Sequence, residues 1–355
     1  MIDRQLILHT IGHFSVDAVC AAVIYRHISD LSNASALNET HILIMILAYN
    51  LLAFATQPIA GFLFDKKPLT TKYVSWSFVF LMAAVLPFLN IWIKISLLGI
   101  GNSMFHTAAG SIVIKKTPGK ASPLGIFVSS GAVGLTVGTV FGDKAATIPI
   151  LLVLLFAMFA LSFELPDTTT LQRIKPPPRV NIKAALCLSV CIAIRSLFGF
   201  LPVTQFQKTI AVNFLIVAGV FAGKFIGGIL ADKFTIKKTV VVSLLSAAAL
   251  FLPGIGSPAF WSATQLFINM SMPVTLFLMC KAMPGRPGLA FGWAAACLLP
   301  GLLAPAERPA IPDYMYLSVL FVNIVLILFA FNEINKTDGA TATNAPEKEP
   351  KETKD

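Results

Sequence analysis

Six ionisable side chains lie inside long apolar runs of this sequence: His9, His13, Asp17, His106, Arg195 and Lys224. An ionisable group at mid-bilayer costs about 2.5–3.5 kcal/mol on insertion scales, so each needs a partner or a task. His9, His13 and Asp17 recur at i, i+4 and i+8 and form one stripe on a helix. The His9/His13 spacing is that of a metal-ligand pair, but the sequence shows no further ligand cluster beside it. No metal or other cofactor is therefore expected. Arg195 carries a planar guanidinium suited to a two-pronged grip on carboxylate or phosphate. His106 could take part in such chemistry or simply bond a neighbouring carbonyl. Lys224 could snorkel towards water or meet a polar group on an adjacent helix.

The elements that must hold these groups follow from composition. The chain has 355 residues, 56% of them hydrophobic and only 12% charged, against about 25% charged in a soluble domain. Lipid must solvate most of the surface. The net charge of +10 sits in short basic clusters between apolar runs, so it does not argue for nucleic acid. Hydropathy marks twelve spans, at 5–28, 41–64, 73–90, 92–114, 121–142, 145–163, 184–206, 210–231, 239–256, 259–280, 287–305 and 312–331. Continuous runs of this length predict helices and exclude a barrel. The expected architecture is an all-α membrane protein of twelve transmembrane helices in two six-helix bundles.

Most of the 27 lysines and arginines fall on the N-terminal side of this topology; only Arg26, Lys94, Lys144, Lys208 and Arg308 fall in loops on the other. The positive-inside rule then makes both termini cytoplasmic. The first span is too long and too polar for a cleaved signal peptide and is expected to stay. The expected domains are residues 1–163, a cytoplasmic linker at 164–183 around Pro176-Pro177-Pro178, residues 184–332, and a disordered tail at 333–355. All five cysteines lie in apolar segments and predict no disulfide framework. A monomer in a bacterial inner membrane, in contact with lipid, is the expected setting.

The two halves read as copies. AGFLFDKK (60–67) and GGILADKF (227–234) both contain Gly-x-x-x-Asp-Lys, as Gly61, Asp65 and Lys66 and as Gly228, Asp232 and Lys233. PGKASPLGIF (118–127) and PGRPGLAFGW (284–293) repeat at almost the same offset. An internal duplication of this kind relates two bundles by an axis along the membrane normal. Each glycine permits close helix approach, each aspartate could cap a neighbouring helix or pair with a base, and the lysines face anionic lipid. Gly134, Gly138 and Gly142 form a small-residue stripe for helix contact. Asn50, Gln57 and Asn102 suit interhelical hydrogen bonds, and Pro273 could kink the tenth span.

Gly-x-x-x-Asp-Lys with basic residues between spans two and three, repeated between spans eight and nine, resembles the signature loop of the major facilitator superfamily. GNSMFHTAAG (101–110), GIFVSSGAVGLTVG (125–138), RSLFG (195–199) and GKFIGGILADK (223–233) further resemble its fosmidomycin-resistance-like group. The resemblance implies alternating access, with both motif loops as cytoplasmic gates. It also implies that the first, fourth, seventh and tenth spans line a cavity, bringing together Asp17, His13, His106 and Arg195 with Gln265 and Asn269. Asp17 and Arg195 could then pair when the site is empty, with an anionic substrate or a proton separating them, or they could form a static ion pair between the halves. The function expected is secondary active transport of a small anionic or zwitterionic metabolite, with protons as the candidate coupling ion. Efflux of amphipathic drugs, implied by the narrower resemblance, is the alternative, and a non-transporting membrane sensor or scaffold is the reading from another class. The sequence has no phosphate-binding loop and no nucleophile constellation, so it is not expected to be an enzyme.

Overall fold

The computed structural model describes residues 3–36, 38–66, 70–164, 179–200, 204–303 and 312–343. The first group of helices is α1 (Arg4–Asn33), α2 (Glu39–Asn50), α3 (Gln57–Lys66), α4 (Thr70–Ala84), α5 (Ile91–Lys116), α6 (Ser122–Phe141) and α7 (Thr147–Ser162). The second is α8 (Ile182–Phe200), α9 (Ile210–Lys233), α10 (Ile236–Gly256), α11 (Pro258–Asn269), α12 (Ser271–Ala282), α13 (Pro287–Ala296), α14 (Leu299–Leu302) and α15 (Asp313–Thr343). Short polar side chains set many of the starts: Asp3, Asn38, Asn90, Asn181, Thr209 and Thr235 each accept a backbone N–H of the first turn.

Two spans are broken where proline removes a backbone donor. A π-helical turn, Leu51–Ala55, joins α2 to α3 just before Pro58. There Gln57 Nε2 donates to the Ala53 carbonyl at 2.8 Å and Thr56 Oγ1 to that of Leu52 at 2.5 Å, satisfying acceptors the distorted turn leaves. Pro273 lies in the first turn of α12, and the tenth span breaks at Met270 between α11 and α12.

Among the described residues, eight helical stretches are long and apolar enough to cross a membrane. Thr147–Ser162 and Pro287–Leu302 are shorter apolar helices. The span expected at 73–90 is helical only from Thr70 to Ala84, and the one at 287–305 is interrupted between α13 and α14. Large apolar side chains cover the outside, Phe88 being 78% exposed and Val153 71%. Such a surface suits lipid rather than water. The chain is an integral, multi-pass membrane protein.

Residues 165–178 of the expected linker and 344–355 of the expected tail lie outside the described residues. Helix α15 runs past residue 333 into the stretch expected to be a disordered tail. Ile334 is buried, and Asn181 Nδ2 donates to the Glu333 carbonyl at 3.1 Å and to Thr337 Oγ1 at 3.0 Å, so local packing offsets the polar composition there. All five cysteines are free thiols.

Helices α1–α7 pack chiefly among themselves, as do α8–α15; α6 on α9, α3 on α13, α5 on α13 and α6 on α12 join the groups. Glycine sets the closest crossings. Gly134 and Gly138 of α6, and Gly142 just after it, abut the carbonyls of Phe14, Ala18 and Ala22 on α1. In the second group, Gly219, Gly223 and Gly227 of α9 abut those of Ser262, Leu266 and Met270. The i, i+4 repetition on both partners lets backbones meet along several turns.

Candidate functional site

Two i, i+4 pairs on crossing helices build a polar cluster among apolar neighbours. His13 and Asp17 come from α1, and Asn102 and His106 from α5. Gly12 allows the crossing to close, because its missing side chain leaves room for the Phe105 ring. His13 and His106 are buried, while the Asp17 side chain keeps 20% exposure.

The hydrogen bonds fix the state of both imidazoles. His13 Nδ1 lies 2.8 Å from the Phe127 carbonyl on α6, and His106 Nδ1 lies 2.9 Å from the Asn102 carbonyl one turn back on α5. A carbonyl only accepts, so each Nδ1 must carry hydrogen. The two Nε2 atoms then face each other at 2.8 Å. Two bare lone pairs at that distance repel, so a cation must lie between them, in the simplest case one shared proton. Asp17 supplies the balancing charge, with carboxylate oxygens 3.3 Å from His13 Nε2 and 3.5 Å from His106 Nε2. Asn102 Nδ2 approaches Asp17 Oδ1 at 3.3 Å and Tyr49 OH at 3.2 Å. Gly131 of α6 completes the enclosure, since a Cβ there would strike both Asp17 Oδ2 and His13 Nε2.

His9 is separate from this cluster. It is buried and lines a small void with Leu8, Val74, Phe78 and Met158. His9 and His13, one turn apart on the same stripe of α1, thus meet different neighbours, and His13 takes its partner from α5.

The second group of helices holds the other polar residues. Arg195 Nη1 on α8 donates to Thr275 Oγ1 on α12 at 2.8 Å. Gln265 and Asn269 bond one another on α11, with Asn269 Nδ2 2.8 Å from the Gln265 carbonyl and 3.3 Å from its Oε1. The Asn269 side chain rests against Gly223 of α9. Among the described residues the ion partners of Asp17 are His13 and His106, and Arg195 is not one of them. Lys224 of α9 lies near enough to both Asp17 and Arg195 to feel the charge of each. Tyr49, Gly131 and Thr275 belong to these clusters although their types alone drew no notice. Asn102 carried a signal, since it precedes His106 by the same four residues that separate His13 from Asp17.

The paired motifs meet crosswise at the end of the bundle where α1 begins. That end is marked by contacts of Asp3 with Lys116 and of Arg4 with Glu164. Asp65 accepts the backbone N–H groups of Gly288 and Leu289, both at 2.8 Å, and so caps α13. Asp232 accepts those of Ala121 and Ser122, at 2.7 and 2.9 Å, and so caps α6. Gly61 abuts the Gly288 backbone, and Gly228 abuts Ala121 and Ser122. Gly119 and Gly285, in the repeated Pro-Gly turns, both adopt positive φ, +79° and +75°. Lys66 and Lys233 stand beside these carboxylates in sequence, each with its ammonium over an aromatic ring, of Phe62 and Phe234 respectively.

No family model matches the sequence, and no curated protein matches it. Solved structures do. The major facilitator superfamily transporter FucP in its outward conformation superposes with a TM-score of 0.67 at 13% identity, covering 94% of this chain and 98% of that one. A single-substitution variant of the E. coli fucose:proton symporter FucP gives 0.66 at 12% identity, covering 93% and 97%. The human organic anion transporter MFSD10 gives 0.64 at 14% identity, covering 94% and 100%. The likeness spans essentially the whole chain in each case, and the fold of this protein is that of the major facilitator superfamily transporters.

Proposed function

We propose that the chain is a secondary active transporter for a small anionic or zwitterionic metabolite, working by alternating access with proton coupling. In this reading twelve spans form two six-helix bundles, residues 1–163 and 184–332, with both termini cytoplasmic. Arg195 is the observation that carries the substrate class. Among the described residues its guanidinium bonds Thr275 and has no carboxylate partner, and its remaining donors suit a carboxylate or phosphate. The shared proton of His13 and His106 beside Asp17 is the coupling site, and Lys224 senses its charge from the other bundle. Gln265 and Asn269 supply neutral polar contacts. The crosswise caps of Asp65 and Asp232 close the cytoplasmic end, which fits the outward conformation of the similar FucP structure. One similar structure is a fucose:proton symporter and another an organic anion transporter, which supports both coupling and substrate class.

The test is thermal stability of purified protein against anionic, zwitterionic and lipophilic cationic compounds, with Arg195→Ala alongside. A ligand at 100 times its dissociation constant adds about 2.7 kcal/mol to the native state. Anions should stabilise wild type and not the variant. Stabilisation by lipophilic cations alone, indifferent to Arg195, would replace this reading with drug efflux. No ligand response at all, with Arg195→Ala silent in cells, would favour a sensor or scaffold.

A further inference from the structure

We infer that His13, His106 and Asp17 form a binding site for a divalent transition-metal ion of the zinc, nickel or cobalt kind. Their ligand atoms all lie within 4.8 Å of one another. Nitrogen and oxygen ligands at about 2.0–2.1 Å, arranged tetrahedrally, stand about 3.3 Å apart. The Nε2–Nε2 edge here is 2.8 Å, and the two carboxylate edges, which end on different oxygens of Asp17, are 3.3 Å from Oδ2 to His13 Nε2 and 3.5 Å from Oδ1 to His106 Nε2. A shared proton accounts for the shortest edge only. The two carboxylate edges exceed the roughly 2.7–2.9 Å of a charge-assisted hydrogen bond and match the spacing of ligands around a metal ion, which on binding would open the short nitrogen–nitrogen edge by about 0.5 Å.

Both imidazoles are prepared as ligands. Each Nδ1–H is held by a backbone carbonyl, Phe127 on α6 and Asn102 on α5, which fixes the tautomer and turns Nε2 inward. This outer bond is the usual companion of a metal-binding histidine. Three protein ligands leave a fourth position open, and Asp17, the accessible member, marks the side from which an ion or water would arrive. Asn102 Oδ1 is buried without a partner, in the amide whose nitrogen approaches Asp17, and is available to a water carried on the ion. Two nitrogens and one oxygen select zinc, nickel or cobalt over magnesium or calcium.

Binding forms two N–metal bonds and one O–metal bond, and the proton held between the Nε2 atoms leaves to solvent. Metal and proton therefore exclude each other at this site. The other titratable or charged groups around it are Tyr49 of α2, Cys20 of α1 and Lys224 of α9. The positive charge of Lys224 opposes the ion and limits its affinity. The site stands on the triad's geometry alone, so its failure would leave the transport reading intact.

The experiment is calorimetric titration of the full-length protein, purified without a polyhistidine tag, with Zn²⁺, Ni²⁺, Co²⁺ and Mg²⁺ in two buffers of different ionisation enthalpy. One transition-metal ion should bind per chain with about one proton released near neutral pH, and Mg²⁺ should not bind. Cobalt should show tetrahedral visible absorption. His13→Gln, His106→Gln and Asp17→Asn should each lose affinity by more than the ~10–100-fold that loss of an outer partner causes. His9→Gln should retain it. Apo thermal melts of every variant, compared with wild type, separate ligand loss from misfolding. Absence of metal binding to folded wild type, or binding that survives all three triad substitutions, would overturn the proposal and leave the cluster a proton site only.

Discussion

Asp65 and Asp232 occupy the same position in two copies of one motif, and each holds the start of a helix in the other group with both carboxylate oxygens. Removing a cap of this type costs about 0.5–2 kcal/mol. In the proposed alternating-access cycle the cost falls on the closed arrangement alone, because each contact spans the two groups. Asp65→Ala and Asp232→Ala should therefore each lower the closed population several-fold. Pulsed electron-electron resonance between spin labels near the ends of α3 and α13 would show it. The two sites share no partners, so the double variant should shift the distance distribution by about the sum of the single effects. Unchanged distances in all three variants would show that the caps do not hold the gate.

The helix crossings give a sharper stability test. Gly138 of α6 lies against the Ala18 carbonyl and the Ala21 side chain, with no room for a substituent. Gly138→Leu should force α6 from α1 and destabilise by at least the ~1–3 kcal/mol of an overpacked core. Gly256, at the end of α10, has nothing within reach of an added Cβ. Gly256→Ala should stay within about 0.5 kcal/mol of wild type. Equal losses at both positions, by chemical denaturation in detergent, would contradict the packing described.

These glycines also show what the sequence could convey. The α6 stripe and the repeated Gly-x-x-x-Asp-Lys were readable because each recurs at fixed spacing, and periodicity is a local property. The same rule would have found Gly219, Gly223 and Gly227, which lay unremarked beside the motif. The partners of Asp17 were not readable in this way. Asp17 and Arg195 were joined by charge complementarity, but side chains from α1 and α5 already meet at Asp17, and the crossing is governed by Gly12 and Phe105, whose types carry no charge. The i, i+4 spacing of His9 and His13 left their partners unread for a related reason. Helical spacing puts two residues on adjacent turns, and packing then decides which neighbour each faces.

Gly131 connects the packing to the cluster. An added Cβ would meet Asp17 Oδ2 and His13 Nε2, both charged or polar ligand atoms that are fixed from other directions. Gly131→Ala should leave α6 helical and the protein folded while displacing the triad. Zinc affinity should fall at least tenfold, and the apo melting temperature should move only by the few degrees that about 1 kcal/mol implies for a large chain. Retained affinity in the folded variant would mean that Asp17 and His13 rearrange freely, and that the enclosure by α6 is not part of the site.

Thr275 tests the proposed anion site without touching its charge. Its hydroxyl accepts from Arg195 Nη1 and donates to the Met272 carbonyl, holding the guanidinium from α12 while its own helix holds the threonine. A hydrogen bond to a charged group contributes about 1.5–3 kcal/mol. Thr275→Val keeps the volume and removes the acceptor, so Arg195 stays charged but loses its orientation. Affinity for a stabilising anion should drop about 10-fold or more, and Thr275→Ser should restore most of it. If valine weakens binding and serine fails to rescue it, the methyl group matters rather than the hydroxyl, and the role assigned to the Arg195–Thr275 bond would fall. If neither substitution changes affinity, the anion does not sit on the guanidinium face that Thr275 orients.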